Sequence, residues 1–335
     1  MSAVRIGMIG LGHIAIHSHL PPLAEMSKKG EVVLQAFCDV NEESGREQAQ
    51  AFGVENVYTD HHEMFEREEL DAVYLCIPPT LHEDVETICA TRGIAIFVEK
   101  PQTLDIAQAR RFSDAIGGSG IVSQVGFMNR YYPSAEAVRA RLEELTPRHA
   151  QVQLFYGGNP VRFWTSRFDL CGGTFVENTI HYVDLLRYFL GDIESVSAFY
   201  VDRKPSEGPP PMDTPHVYNV NYRFKGGVTA NATTSRVLTN VSVSRREVLV
   251  VSDDSMISWS SNEVVENGET FEGVEKANAF GRQAEAFVAA VRAKDPEATR
   301  SAYPDALNSL SAVLGANLSA ERGGELVSLA ELETG

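Results

Sequence analysis

Three groups of residues have the types and spacing that chemistry needs. The first is Gly10-x-Gly12-x-x-Ala15, with His13 and Ile14 between, inside VRIGMIGLGHIAIHSHLPPL. Gly10 permits a tight turn, Gly12 lets a pyrophosphate approach the backbone, and small Ala15 lets a helix pack close to the strand. The amides at the start of that helix face the phosphates. The next apolar run ends at Asp39. A carboxylate there accepts hydrogen bonds from the adenosine ribose. It also opposes a 2′-phosphate, because two unit charges about 4 Å apart repel by about 4 kcal/mol at an effective dielectric near 20. The expected cofactor is therefore NAD rather than NADP, a preference that nearby Arg46 tempers.

The second group is Glu99-Lys100-Pro101, where a fifth apolar run ends. Ligands of an open α/β sheet bind beyond the carboxyl ends of its strands, so Lys100 stands in that crevice. Pro101 holds the Lys100 backbone extended. The third is the helix in CGGTFVENTIHYVDLLRYFLGD, residues 171–192, where Glu177, His181 and Asp184 fall at i, i+4 and i+7. Such a stripe serves as a proton relay, a metal site or a solvated face. Further ligands are only scattered, so no metal site is assigned.

These residues need a frame. Over residues 1–127, short apolar runs alternate with helical stretches: VRIGMIG, VVLQAFCD, DAVYLCI, IAIFVEK and IVSQVGF, with NVYTD as a short addition. Unbroken β-branched runs imply strands buried on both faces, hence a parallel sheet. Repeated βαβ predicts a doubly wound, Rossmann-type α/β domain. From 128 to 335 the pattern changes to α+β. A helix near 132–145 and the strand HAQVQLFYG come first; the helix over 173–190 precedes IESVSAFYV, HVYNVNYRF, GVTANATTS, REVLVVS and SMISWSS. In HVYNVNYRF, Tyr218, Val220, Tyr222 and Phe224 alternate with Asn219, Asn221 and Arg223, the mark of a mostly antiparallel sheet with two unlike faces. Two helices close the chain, one with a stripe of Phe280, Ala284, Phe287, Val288 and Val291, the other with Leu307, Leu310, Leu314 and Leu318. Residues 202–215 hold five prolines and read as a loop.

Bulk properties narrow the function. The 335 residues are 43% hydrophobic and 22% charged, which provides for a full core. A net charge of −17 argues against non-specific nucleic-acid binding and lends no support to a membrane partner. No apolar run approaches the ~18 residues of a membrane span. Cys38, Cys76, Cys89 and Cys171 form no CxxC pair, which fits a reducing, cytoplasmic setting.

GLGHIAIHSHLP, DAVYLCIPPTLH, FVEKP, VGFMNRYYP and GGTFVENTIHYVDLLRYFLG occur in the order seen in the Gfo/Idh/MocA oxidoreductases, and the resemblance runs to the closing GGELVSL. It implies a Rossmann domain followed by an α/β substrate domain whose open sheet face makes a homodimer or homotetramer. Lys100 matches the active-site lysine of the EKP motif, His181 the usual catalytic histidine and Asp184 the nearby acid, here expected on the substrate. Position 177 matches a catalytic aspartate of inositol dehydrogenases but is glutamate; position 179 is Thr where many members have Gly. These departures weaken an inositol assignment. Pro78, Thr80 and His82 match the turn beside the cofactor, Arg130 an arginine common in members, and Trp164 a substrate-side aromatic. The expected cofactor contacts are thus Gly10, Gly12, His13, Ile14, Ala15, Asp39, Pro78, Thr80, His82, Glu99, Lys100 and Arg130. The implied activity is NAD(P)-dependent hydride transfer on a sugar, inositol or related polyol, with Lys100 and His181 sharing activation of the oxygen and proton transfer in an order the sequence leaves open. Glycoside cleavage through transient oxidation, or dinucleotide sensing without catalysis, are the alternatives.

Overall fold

A computed structural model of the chain describes residues 2–158, 164–204, 212–238 and 241–334. It divides into two compact units, Met1–Met128 with Asn278–Leu307, and Asn129–Ala277 with Asn308–Gly335.

The first unit holds six strands, β1 (Val4–Ile9), β2 (Val32–Cys38), β3 (Asn56–Tyr58), β4 (Ala72–Leu75), β5 (Ala95–Val98) and β6 (Ser123–Val125). All pair in parallel in the order β3-β2-β1-β4-β5-β6. This is the doubly wound order, with its switch point between β1 and β4. The helices between are α1 (Leu20–Lys28), α2 (Glu42–Phe52), α3 (His61–Arg67), α4 (Val85–Arg92) and α5 (Ile106–Ser119). Local chemistry sets their ends. Asn41 and Asp105 accept N-terminal amides of α2 and α5, while Gly53 and Gly93 take left-handed φ of 72° and 70° after α2 and α4.

The second unit begins with α6 (Pro133–Leu142), β7 (Pro147–Gly157), α7 (Phe168–Cys171) and α8 (Ile180–Leu190). The strands β8 (Ile193–Val201), β9 (Val217–Phe224), β10 (Thr229–Leu238), β11 (Ser244–Ser252), β12 (Met256–Ser260), β13 (Glu263–Glu266) and β14 (Glu269–Thr270) follow. With β15 (Val327–Ser328) they form a nine-stranded sheet, ordered β14-β13-β12-β11-β7-β10-β9-β8-β15, in which only β7 and β10 run parallel. Strand β9 alternates as its sequence requires. Tyr218, Val220, Tyr222 and Phe224 are buried, while Asn219, Asn221 and Arg223 are exposed. The outward asparagines are tied across the sheet, Asn231 Nδ2 donating to Asn219 Oδ1 at 2.8 Å and Asn221 Oδ1 at 3.0 Å.

A single cut at residue 128 does not describe the units. Helix α9 (Ala279–Ala293) belongs to the first, where Ala284, Phe287 and Val288 pack with Ile6, Met8, Phe37, Tyr74 and Phe97. Phe287 stands edge-on to Tyr74 and Phe97, ring centroids 5.5 and 5.7 Å away, and those two rings stack at 4.5 Å. The apolar stripe seen in the sequence completes a core begun nearly 300 residues earlier. The last helices are α10 (Tyr303–Glu321) and α11 (Leu329–Thr334). No helix among the described residues is long and apolar enough to cross a membrane. Half of the proline-rich loop, residues 205–211, lies outside the described residues.

Candidate active site

Strand β1 ends in a turn that only glycine fits. Gly10 has φ +89°, its amide donates to the Cys38 carbonyl at 2.8 Å, and a Cβ there would stand 2.5 Å from the Cys76 carbonyl oxygen. Between β2 and β4 the backbone has no room for a side chain. Gly12 differs: a Cβ there would meet nothing within 4 Å. The space above it is open, and its exposed backbone borders the start of a helix whose first amides lack intrahelical acceptors. His13 is exposed, with its ring 4.4 Å from that of His17. Ile14 packs against the core, and Ala15 is fully buried beneath the turn.

Asp39 is tied to this turn. Its Oδ2 accepts from the Leu11 amide at 2.7 Å and its Oδ1 from the Asn41 amide at 2.8 Å. Asn41, not Asp39, caps α2, so the Asp39 carboxylate stays half-buried at the mouth of β2. Each oxygen retains a lone pair for a ribose hydroxyl. Arg46 is engaged by Glu42, Nη2 to Oε1 at 2.7 Å. An open backbone at Gly12, a helix start and a carboxylate at the second strand together fit a dinucleotide.

At the mouth of β5 the Lys100–Pro101 peptide is cis, and Lys100 is half-buried. Glu99 faces inward. Its Oε1 lies 2.7 Å from His19 Nε2, its Oε2 accepts from the Lys100 amide at 3.0 Å, and a Cβ on Gly126 would strike its carboxylate at 2.8 Å. Glu99 therefore braces the backbone beside Lys100. His19, which the sequence reading passed over, is its partner; a third histidine in GHIAIHSH was the available signal. The turn after β4 leaves Thr80 exposed and Pro78 half-buried, but His82 points into the unit, with Nδ1 2.7 Å from Glu86 Oε1 and both side chains fully buried. His82 holds the turn from beneath.

In the second unit the helix carrying the acid–histidine stripe is not uniform. A wide π-type turn, Phe175–Thr179, runs into α8. Gly172 and Gly173, both at positive φ, precede it, and a Cβ on Gly173 would lie 2.8 Å from the Tyr218 hydroxyl. That hydroxyl accepts from the Thr174 amide at 3.0 Å, which fixes the helix to the sheet. The wide turn rotates Glu177 away from the simple i, i+4, i+7 line. Glu177 stays partly exposed, His181 is 8% exposed, and Asp184 is fully buried.

Arg130 was expected on the cofactor and Asp184 on the substrate; they hold each other. Arg130 Nε donates to Asp184 Oδ2 at 2.8 Å and Nη2 to Oδ1 at 2.6 Å, and Ser309 Oγ donates to Oδ1 at 2.8 Å. Asn129 Nδ2 adds a hydrogen bond to the His181 carbonyl at 3.2 Å. Residues 129–130 thus clamp the turn of α8 that presents His181. Trp164 lies half-buried in a short turn, Trp164–Ser166.

The sheet supplies residues that the sequence did not single out. Tyr156 on β7 donates its hydroxyl to Asn178 Oδ1 at 2.6 Å. Burial pushes the Tyr156 phenol well above its ordinary range, so it stays a neutral donor. Over its ring lie two guanidiniums, Arg236 at 4.7 Å and Arg246 at 5.2 Å from the centroid. Elsewhere, in the first unit, His61, His62, Glu83 and Asp84 place their ligand-type atoms within 4.8 Å of one another; the sequence had not grouped them.

Parallel sheet, glycine turn and second-strand acid are those of a dinucleotide-binding Rossmann domain. Two family models match the chain, "Oxidoreductase family, NAD-binding Rossmann fold" over residues 4–127 and "GFO/IDH/MocA C-terminal domain" over residues 146–256. Together they take in well over half of it, and the chain belongs to the Gfo/Idh/MocA oxidoreductase family. The myo-inositol 2-dehydrogenase of Thermotoga maritima is 30% identical over 197 residues, 58% of this chain and 58% of that protein. The scyllo-inositol 2-dehydrogenase (NAD(+)) of Bacillus subtilis is 30% identical over 204 residues, 58% of this chain and 56% of the relative. The chain thus spans little more than half the length of the curated relatives it matches. A levoglucosan dehydrogenase solved with NADH and L-sorbose has the same fold, with a TM-score of 0.85 over 98% of this chain and 99% of that one at 18% identity.

Proposed function

We propose that this protein is a cytoplasmic NAD-dependent dehydrogenase or reductase of a sugar, inositol or related polyol. The observation that carries the reading is the cradle at β1 and β2: Gly10 forced by the Cys76 carbonyl, open backbone at Gly12, and Asp39 at the second strand. NAD is favoured over NADP because Asp39 meets the ribose hydroxyls and Arg46 is already engaged by Glu42. Bound NAD supplies the hydride acceptor or, reduced, the donor. The chain's own residues do the rest. Lys100 polarises the oxygen on the reacting carbon, which lowers the cost of developing negative charge. His181 takes that oxygen's proton as the general base. Glu177 orients the imidazole or holds a neighbouring hydroxyl. Asp184 and Arg130 position the helix and touch no substrate.

The relatives' names support the substrate class. Four buried free thiols support a reducing compartment. The outer rim of the second sheet exposes Phe199 (60%), Val201 (57%) and Met256 (49%), which supports a homodimer or homotetramer through that face. The reading is tested with aldoses, polyols and inositols offered with NAD and NADP and followed at the reduced-nicotinamide absorbance. Net reduction of NAD by at least one of them is expected; no turnover with any, in either direction, overturns it.

A further inference from the structure

The acidic balance of the chain makes its unneutralised cations conspicuous. Acids outnumber bases 46 to 29, and several described arginines pair with carboxylates. Arg5 pairs with Asp71, Arg141 with Glu266 and Arg187 with Asp192. Arg236 and Arg246 have no carboxylate partner among the described residues. Instead both lie against one ring, that of Tyr156, at 4.7 and 5.2 Å.

Strand geometry explains why they converge. Central β7 is flanked by β10 and β11. Arg246 on β11 pairs in register with Leu154, which shares the helix-covered face with Tyr156; on β10, Arg236 follows the Thr234–Leu154 and Ser235–Phe155 pairs, just before a break in register. The two arginines therefore approach Tyr156 from either side. Its hydroxyl meets Asn178, which lies in the wide turn with Glu177 and three residues before His181. Arg236 is half-buried and Arg246 exposed, and neither meets a carboxylate among the described residues, so both keep guanidinium N–H groups for an anion. Guanidinium groups are suited to planar carboxylates and to phosphates.

We propose that Arg236 and Arg246 form an anion-recognition site beside the His181 helix, and that the substrate is an acidic sugar derivative, carrying a carboxylate or phosphate, rather than a neutral polyol. This rests on the dehydrogenase reading for the word substrate, but the anion site itself stands on the second unit's geometry. Tyr156 and Asn178 complete it as neutral hydrogen-bonding groups.

Paired probes test it. D-gluconate and D-glucitol differ only at the terminal carbon, as do D-glucuronate and D-glucose. Binding to the full-length protein, in the presence of NAD, is measured by isothermal titration calorimetry at low salt. Each acid is expected to bind at least tenfold more tightly than its neutral partner, with the preference weakening as salt rises. Arg236→Ala and Arg246→Ala should each cut the preference by about 10- to 100-fold, the range for a hydrogen bond to a charged group. Arg246→Lys should restore part of it if Arg246→Ala is poorly folded. Equal binding of acids and neutrals, or a preference untouched by either substitution, overturns the proposal. If the acids bind through the arginines but nothing is oxidised or reduced, the anion site stands and the dehydrogenase reading falls; turnover of neutral polyols without any acid preference gives the reverse.

Discussion

Replacing Asp184 by Asn should destabilise the second unit severely. The carboxylate is fully buried and accepts from Arg130 twice, at 2.8 and 2.6 Å, and from Ser309 at 2.8 Å; the Arg187 guanidinium stands 4.0 Å away. Arg130 and Arg187 are themselves only 6% and 4% exposed at the side chain. Asn removes the charge but not the guanidiniums, which cannot deprotonate. Breaking one side of a buried ion pair in this way costs about 3–5 kcal/mol. The assay is urea unfolding followed by tryptophan fluorescence, because both tryptophans, Trp164 and Trp259, lie in the second unit. Arg130→Met should also destabilise. The double substitution Arg130→Met with Asp184→Leu should cost less than the two single losses added, since it removes both charges together. A loss below about 0.5 kcal/mol for Asp184→Asn, the size of an ordinary surface change, would refute the clamp.

Three further outcomes are expected. NADH should bind at least tenfold more tightly than NADPH, about 1.4 kcal/mol, and Asp39→Ala should narrow that gap in fluorescence titrations; equal affinities would remove Asp39 from the account. Burial pushes the Cys38 and Cys171 thiols up to about 12, and Cys76 and Cys89 well above the ordinary range. A thiol raised by folding contributes stability that is full below its unfolded value near 8.5 and is lost as pH climbs toward 12. A thiol reagent at pH 8 should thus label none of the four quickly in native protein and all four in denaturant, with stability declining only above about pH 9. Light scattering should return a multiple of 36.8 kDa; a monomer at working concentration would dismiss the open-face assembly.

Much of this molecule was legible from its sequence because much of it is local. Six parallel strands follow from β-branched runs, and β9 from a strict alternation of Tyr, Val and Phe with Asn and Arg. The Gly10 and Asp39 reading needed only spacing. What sequence could not supply are pairings across distance. Asp184, expected on the substrate, is buried because α8 is covered on nearly every face, and Arg130 reaches it from 54 positions away. Helix α9 carries a plain apolar stripe, but a stripe does not say which core it completes, and this one returns to Tyr74 and Phe97. Glu99 stands beside Lys100 in the sequence, but nothing there shows that its carboxylate meets His19 and the Lys100 amide. Arg236 and Arg246 sit on separate strands, and nothing in either segment announces that they share the ring of Tyr156.

The central claim is that Lys100 and His181 perform proton and oxygen chemistry for a hydride transfer, while Gly12 and Asp39 hold the cofactor. It is met most directly by steady-state kinetics of Lys100→Ala and His181→Ala with whichever substrate the panel identifies, set beside NADH affinity for the same proteins. A positioned acid or base contributes about 100- to 10,000-fold to rate. Each substitution should lower kcat/KM by that order with NADH affinity little changed, and the double variant should lose less than the product of the single losses, as groups acting on one oxygen do. Near-wild-type turnover in His181→Ala, or a loss explained entirely by weaker NADH binding, would contradict it.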